Sequence, residues 1–164
     1  MTEDFNSCYE KYYPVILKHA AYLTGNIQAA EDIAQETFIK LHKIPPSHTN
    51  IGAWLMKIAT NLSYNYMRAD RVKRAKMPVL AEHEMSNVIS IEDAAIKDLE
   101  IRLIRKALYC LKPRDRLCLL LKYSGYKYSE IAETAGIDVN SVGKVLARAQ
   151  DKLKKTYLKE ASLK

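Results

Sequence analysis

Glycine and proline are scarce, five of each among 164 residues. Turn and strand punctuation is thin, so the chain is expected to be mostly helical. The three cysteines, Cys8, Cys110 and Cys118, are odd in number and widely spaced. This argues against a disulfide framework, and no pair stands at metal-ligand spacing with the four histidines. Thiols in a reducing cytoplasm are the expected reading, with no metal and no cofactor. Long apolar runs are also missing. The longest, Leu117 to Leu121, is far below the roughly 20 residues needed to span a bilayer, so no membrane insertion is expected. The opening MTEDFNS has neither the basic nor the apolar region of a signal peptide. There is no phosphate-cradling glycine loop and no nucleophile motif. Glu31, Asp32 and Glu36 form a carboxylate cluster without a His, Cys or metal-spaced companion, and Glu31 projects away from the other two. No catalytic residues are expected, and the chain does not read as an enzyme.

What is present is hydrophobic content sufficient for a core, 48%, and an uneven charge. Residues 1–75 hold nine basic and seven acidic side chains, residues 76–100 two and six, and residues 101–164 fifteen and six. The basic last third suits a polyanionic partner such as nucleic acid, although a solvated charged surface explains charge alone equally well.

Apolar residues at helical spacing predict helices over 5–25, through Phe5, Tyr9, Tyr12/Tyr13, Ile16 and Leu17, and over 28–43, through Ile33, Ala34, Thr37, Phe38 and Leu41. Gly25-Asn26 and Pro45-Pro46 end them. A third helix is expected over about 52–73, with Leu55, Ile58, Ala59, Leu62 and Tyr66 inward. The pattern lapses over 76–98, an acidic linker with a short helical piece near Ile91–Ile96. It resumes at Leu99 with Leu103, Ala107, Leu108 and Leu111. Pro113 interrupts, and a further helix follows over Arg114–Tyr123. The expected fold is all-α: two small helical domains, 1–75 and 99–164, joined by a linker over 76–98.

The sharpest local signal lies at 129–153. Ser129–Ala135 read as a short helix with Ile131, Ala132 and Ala135 inward. Gly136 stands where a left-handed residue closes a helix, and Asp138 is placed to cap the next one. Val139, Val142, Leu146, Ala149 and Leu153 form the inward stripe of that helix. Asn140, Ser141, Lys144, Arg148, Lys152 and Lys155 lie outward. Two short helices joined through a glycine, the second basic on its free side, make a helix-turn-helix that can enter a major groove. An ordinary helical hairpin has the same outline without the basic stripe.

Two exposed stripes are expected in the N-terminal half. Asp32, Gln35, Glu36, Ile39 and Lys43 lie opposite the buried face of the second helix. An acidic and amide face with an exposed isoleucine suits a protein partner, and spacing alone does not exclude a solvated surface. On the third helix Lys57, Asn61, Tyr64, Arg68 and Arg71 fall at i, i+4, i+7, i+11 and i+14. Cations can follow phosphates, an amide can read a base edge and a tyrosine can stack on an unpaired base.

The segment LYCLKPRDRLCLLLKYSGYKYSEIAETAGIDVNSVGKVLARAQDKLKK resembles the promoter −35-binding domain of extracytoplasmic-function sigma factors. The matching positions are Leu108–Arg114, Tyr128-Ser129-Glu130-Ile131-Ala132, Gly136, Val142 and Arg148-Ala149-Gln150. Gly143 and Val145 stand where the family commonly has basic residues, and Lys127 where it has a Ser or Thr cap. Ala30-Glu31-Asp32-Ile33 and Gln35-Glu36-Thr37-Phe38 resemble the sigma helix that binds core polymerase. Trp54-Leu55, Ile58-Ala59, Asn61 and Arg68 match the run that recognises and melts the −10 element, preceded by a loop, Pro45–Ile51, without the usual Phe-Arg-Gly.

The resemblance implies a sigma factor that directs promoter-specific initiation. It implies docking on the coiled coil of the largest polymerase subunit through Asp32, Gln35, Glu36 and Ile39, and on the flap of the second-largest subunit. It implies −10 recognition by Lys57, Asn61, Tyr64, Arg68 and Arg71, with a flipped base near Asn61, and −35 recognition by Asn140, Ser141, Lys144, Arg148 and Lys152. The partners are double-stranded promoter DNA, its opened −10 strand and an anti-sigma factor, which could hold the chain at the membrane indirectly. The alternative is a stand-alone helix-turn-helix regulator whose N-terminal domain binds a ligand or dimerises.

Overall fold

The computed structural model describes residues 4–46, 50–76 and 95–163. These residues form seven helices and no strand. The chain divides into two compact units, 1–91 and 92–164.

In the first unit α1 (Phe5–Thr24), α2 (Ile27–Lys43) and α3 (Ile51–Ala75) pack against one another in all three pairings. Gly25 at φ 69° closes α1, and its N–H donates to the Ala21 carbonyl. Asn26 starts α2 by accepting the Ala29 N–H at 3.1 Å, and Asn50 starts α3 by accepting the Ala53 N–H at 2.9 Å. Each such cap contributes about 1 kcal/mol. Expected core residues Ile16, Ile33, Ala34, Thr37, Phe38, Leu41, Leu55 and Ala59 are buried. Phe5 and Tyr9 are not: each is 37% exposed. They join Tyr13 and Phe38 in an aromatic cluster at the end of the bundle. Cys8, Ala20, Ala21 and Leu23 are the ones α1 buries instead. Of the expected stripe only Ile16 is fully buried; Tyr12, Tyr13 and Leu17 are half-buried, and the inward face of α1 runs through Cys8, Ile16, Ala20 and Leu23.

In the second unit α4 (Ala95–Tyr109), α5 (Pro113–Tyr123) and α6 (Tyr128–Ala135) all pack on the long α7 (Val139–Ser162). Pro113 opens α5 at its first turn, where a missing N–H costs nothing. Arg116, 6% exposed, sends its Nη1 toward the carbonyls of Leu108, Tyr109 and Leu111. It thereby caps the C-terminus of α4, where carbonyls lack helical partners. The core is Leu103, Ala107, Leu108, Leu111, Leu117, Leu119, Leu121, Ile131, Val142, Val145, Leu146 and Ala149. Leu99, expected in that core, is 38% exposed. The acidic linker expected over 76–98 lies mostly outside the described residues, and α4 begins inside its C-terminal end, at Ala95.

Candidate nucleic-acid and protein interfaces

On α2, Asp32, Gln35, Glu36 and Lys43 are exposed, and Ile39 is 51% exposed. The buried stripe occupies the other side of the helix, so the four expected docking residues do share one free face. A groove of about 370 Å³ runs between this helix and α3, lined by Ala29, Asp32, Ile33, Glu36, Leu62, Asn65 and Tyr66. Asp32 and Glu36 therefore border α3 as well as solvent. Tyr66 accepts a hydrogen bond from Asn26 Nδ2 at 3.3 Å, and burial raises its phenol pKa.

On α3, Asn61, Arg68 and Arg71 are exposed and Lys57 is half-buried. Arg68 donates to Asn65 Oδ1. Tyr64 departs from expectation: it is 3% exposed and packs inside the bundle with Thr60 and Ser63, which are 2% and 0% exposed. The stripe through Lys57, Asn61 and Arg68 runs along the border of the buried arc. Because both α1 and α2 lie on α3, that arc is wide enough to take in Tyr64. Its ring cannot stack on a base in this conformation. Asn65, one residue on and four after Asn61, is exposed.

The turn between α6 and α7 has the expected construction. Gly136 adopts φ 71°, its N–H donates to Ala132 O, and Asp138 Oδ1 accepts the Asn140 N–H at 2.8 Å. At the start of α6, Glu130 Oε2 accepts the Lys127 N–H at 2.8 Å, which offsets the lack of a Ser or Thr there. Asn140, Lys144, Arg148, Lys152 and Lys155 are exposed, Ser141 is half-buried, and Lys155 pairs with Asp151 at 2.9 Å. Val139, expected inward, is 46% exposed beside Asn140, whereas Val142, three positions on, is fully buried. Val145 is 5% exposed, so that position serves the core in this chain. A Cβ added at Gly143 would meet only Tyr128 Cε2, at 3.9 Å. Helix packing thus does not require glycine there. The Tyr128 ring in turn lies 5.2 Å beneath Lys122 Nζ.

Arg148 is engaged. Its Nε and Nη2 reach Asp115 Oδ2 and Oδ1 at 3.3 and 3.1 Å. Asp115 is 4% exposed in the first turn of α5, and Arg114 Nε lies 3.7 Å from the same carboxylate. The hydrogen bond and charge of Asp115 raise the Arg148 pKa. No group of acidic, His or Cys side chains among the described residues is arranged to hold a metal. No described helix is long and apolar enough to cross a membrane.

Comparison with known proteins covers both units. The family model for Sigma-70 region 2 matches residues 8–72, and that for Sigma-70 region 4 matches residues 101–153. The RNA polymerase sigma factor YlaC of Bacillus subtilis is 28% identical over 163 residues, covering 96% of this chain and 94% of YlaC. The ECF RNA polymerase sigma factor SigW of the same organism is 28% identical, covering 81% of this chain and 78% of SigW. Among solved structures, the sigma factor RpoE from Bartonella quintana, in complex with the anti-sigma factor NepR, shares the fold. It has a TM-score of 0.60 at 23% identity and covers 94% of this chain and 97% of RpoE. A stand-alone regulator is disfavoured, since the N-terminal unit itself matches region 2. With both regions present in order, the chain belongs to the sigma-70 family, as a sigma factor of the extracytoplasmic-function group that directs transcription initiation at promoters.

Proposed function

We propose a division of labour between the two units. The first, residues 1–75, binds core polymerase and opens the −10 element. The second, residues 99–164, binds the −35 element. Asp32, Gln35, Glu36 and Ile39 form the face for the largest-subunit coiled coil. The observation that carries this reading is the half-exposed Ile39 on the acidic side of a helix whose other side is fully committed to the core. An apolar side chain ringed by carboxylates and an amide suits a partner that is basic at its rim and apolar at its centre.

Lys57, Asn61, Arg68 and Arg71 of α3 are assigned to the −10 strand. Asn61 offers both donor and acceptor to a flipped base, and the role first considered for Tyr64 is withdrawn. Asn140, Ser141, Lys144, Arg148 and Lys152 are assigned to the −35 duplex, with Val139 exposed beside them as an apolar contact for a thymine methyl. An apolar groove of about 440 Å³ in the second unit, lined in part by Ile104, Ala107, Tyr123, Leu153 and Tyr157, suits an apolar segment of the polymerase flap. An anti-sigma partner is proposed on the likeness to RpoE, which was solved with one.

The test is assembly. Asp32→Lys with Glu36→Lys should abolish co-purification with core polymerase and run-off transcription, while the circular dichroism spectrum stays that of the wild type. Wild-type affinity in the double variant would show that this face is only solvated.

A further inference from the structure

The guanidinium of Arg148 carries five N–H donors in a planar fork. Asp115 takes the side edge, through Nε at 3.3 Å and Nη2 at 3.1 Å. The opposite edge, formed by Nη1 and the second hydrogen of Nη2, remains. The pair is asymmetric in burial. The Asp115 side chain is 6% exposed and that of Arg148 55% exposed, so the carboxylate is the fixed member and the guanidinium its outward extension. Asp115 itself is anchored in the first turn of α5, where a helix N-terminus favours a negative charge. Two helices, α5 and α7, thus determine together where one arginine on the DNA-facing helix points.

We infer that Asp115 is a positioning residue for promoter recognition: it holds Arg148 so that only the end edge of its guanidinium meets a pair of acceptors on the −35 duplex. This rests on the assignment of α7 to the −35 duplex. An unheld arginine on a helix surface samples many rotamers and binds any phosphate within reach. A held one presents two parallel N–H groups at one place, which matches the paired acceptors on a guanine edge. The carboxylate, shared with Arg114 at 3.7 Å, also offsets part of the arginine's charge, so Arg148 adds less to the salt-dependent attraction that every DNA sequence shares.

The consequence is counterintuitive for a carboxylate near DNA. Asp115→Asn should bind unrelated DNA more tightly and the proper site less selectively. The experiment uses holoenzyme assembled from core polymerase and the full chain. The probes are a promoter duplex selected by the wild-type holoenzyme from a randomised pool and the same duplex with its −35 segment scrambled. The ratio of the two affinities should fall about tenfold in Asp115→Asn. The slope of log affinity against log salt should steepen by up to about 0.9, as one freed cation gains a phosphate. Arg148→Lys guards against a folding defect in the first variant. It keeps the charge but cannot use two edges at once, and it should lose the same selectivity. In the double variant Asp115→Asn/Arg148→Ala selectivity should be no lower than in Arg148→Ala alone.

Proportional loss on both duplexes would make Asp115 a structural residue and overturn the inference. So would unchanged selectivity in either single variant. If the wild-type holoenzyme itself shows no preference for the intact −35 segment, the −35 assignment of α7 falls and the inference with it.

Discussion

His19 on α1 and Thr60 on α3 are joined by a 2.8 Å hydrogen bond from imidazole Nε2 to the threonine hydroxyl. Thr60 gives its own proton to the Met56 carbonyl at 2.6 Å, so it accepts from His19, whose Nε2 therefore carries a proton. Burial lowers the His19 pKa to about 4.

Stability should consequently depend on acidity. An unfolded histidine titrates near pH 6.5, so between about pH 6.5 and 4 the unfolded chain binds the extra proton. Stability is full above that window and falls as pH drops through it, by at most about 3 kcal/mol. Urea midpoints at pH 7.5 and 5 should differ in the wild type. The difference should shrink in His19→Gln, whose side chain does not titrate.

Asn61 and Tyr64 should now separate cleanly. Asn61→Ala removes an exposed side chain and should leave stability within about 0.5 kcal/mol. It should lower permanganate reactivity of −10 thymines in the holoenzyme complex, and a premelted template should recover part of the lost transcription. Tyr64→Ala empties a core site and should cost about 3–5 kcal/mol of folding stability, read from denaturant titration. An unchanged stability in Tyr64→Ala would contradict its place in the bundle.

Arg116→Ala should destabilise the second unit by at least about 2 kcal/mol, because buried carbonyls at the end of α4 lose a charged donor. The loss should appear as a lower thermal midpoint by circular dichroism. Arg116→Lys should recover part of the loss, since all three carbonyls are met by one nitrogen, Nη1, and an ammonium carries three donors on one nitrogen.

Gly143→Ala should stabilise the chain by about 1 kcal/mol, the helix penalty of glycine, since the added methyl meets only ordinary contact. The thermal midpoint should rise. Promoter affinity that falls at the same time would mark Gly143 as a point of close approach by the DNA backbone.

The order of the helices, the glycine at 136, the cap at 138 and the exposed acidic face of α2 were all legible in the sequence, because each is a local pattern of spacing and residue type. Tyr64 and Val139 were misread for opposite reasons. Tyr64 lies at the edge of an arc whose width depends on how many helices pack on α3. Val139 falls on the inward stripe but is the first residue of α7, and burial on that stripe begins with Val142. The pairing of Arg148 with Asp115, 33 positions apart, leaves no periodic trace. The capping of α4 by Arg116 likewise depends on a turn geometry that spacing does not encode.

Asn26 makes two demands on one small side chain. Its oxygen receives the Ala29 N–H and its nitrogen reaches the Tyr66 hydroxyl. Serine and threonine could start α2 but are too short to reach α3 as well. Glutamine has the atoms but an extra methylene that moves them off the cap. Aspartate could serve both partners only by having Tyr66 turn its proton around. Across descendants of this gene, then, position 26 should vary less than its place in a surface turn suggests. Any lineage that replaces it should be free to lose the hydroxyl at position 66 and carry phenylalanine there.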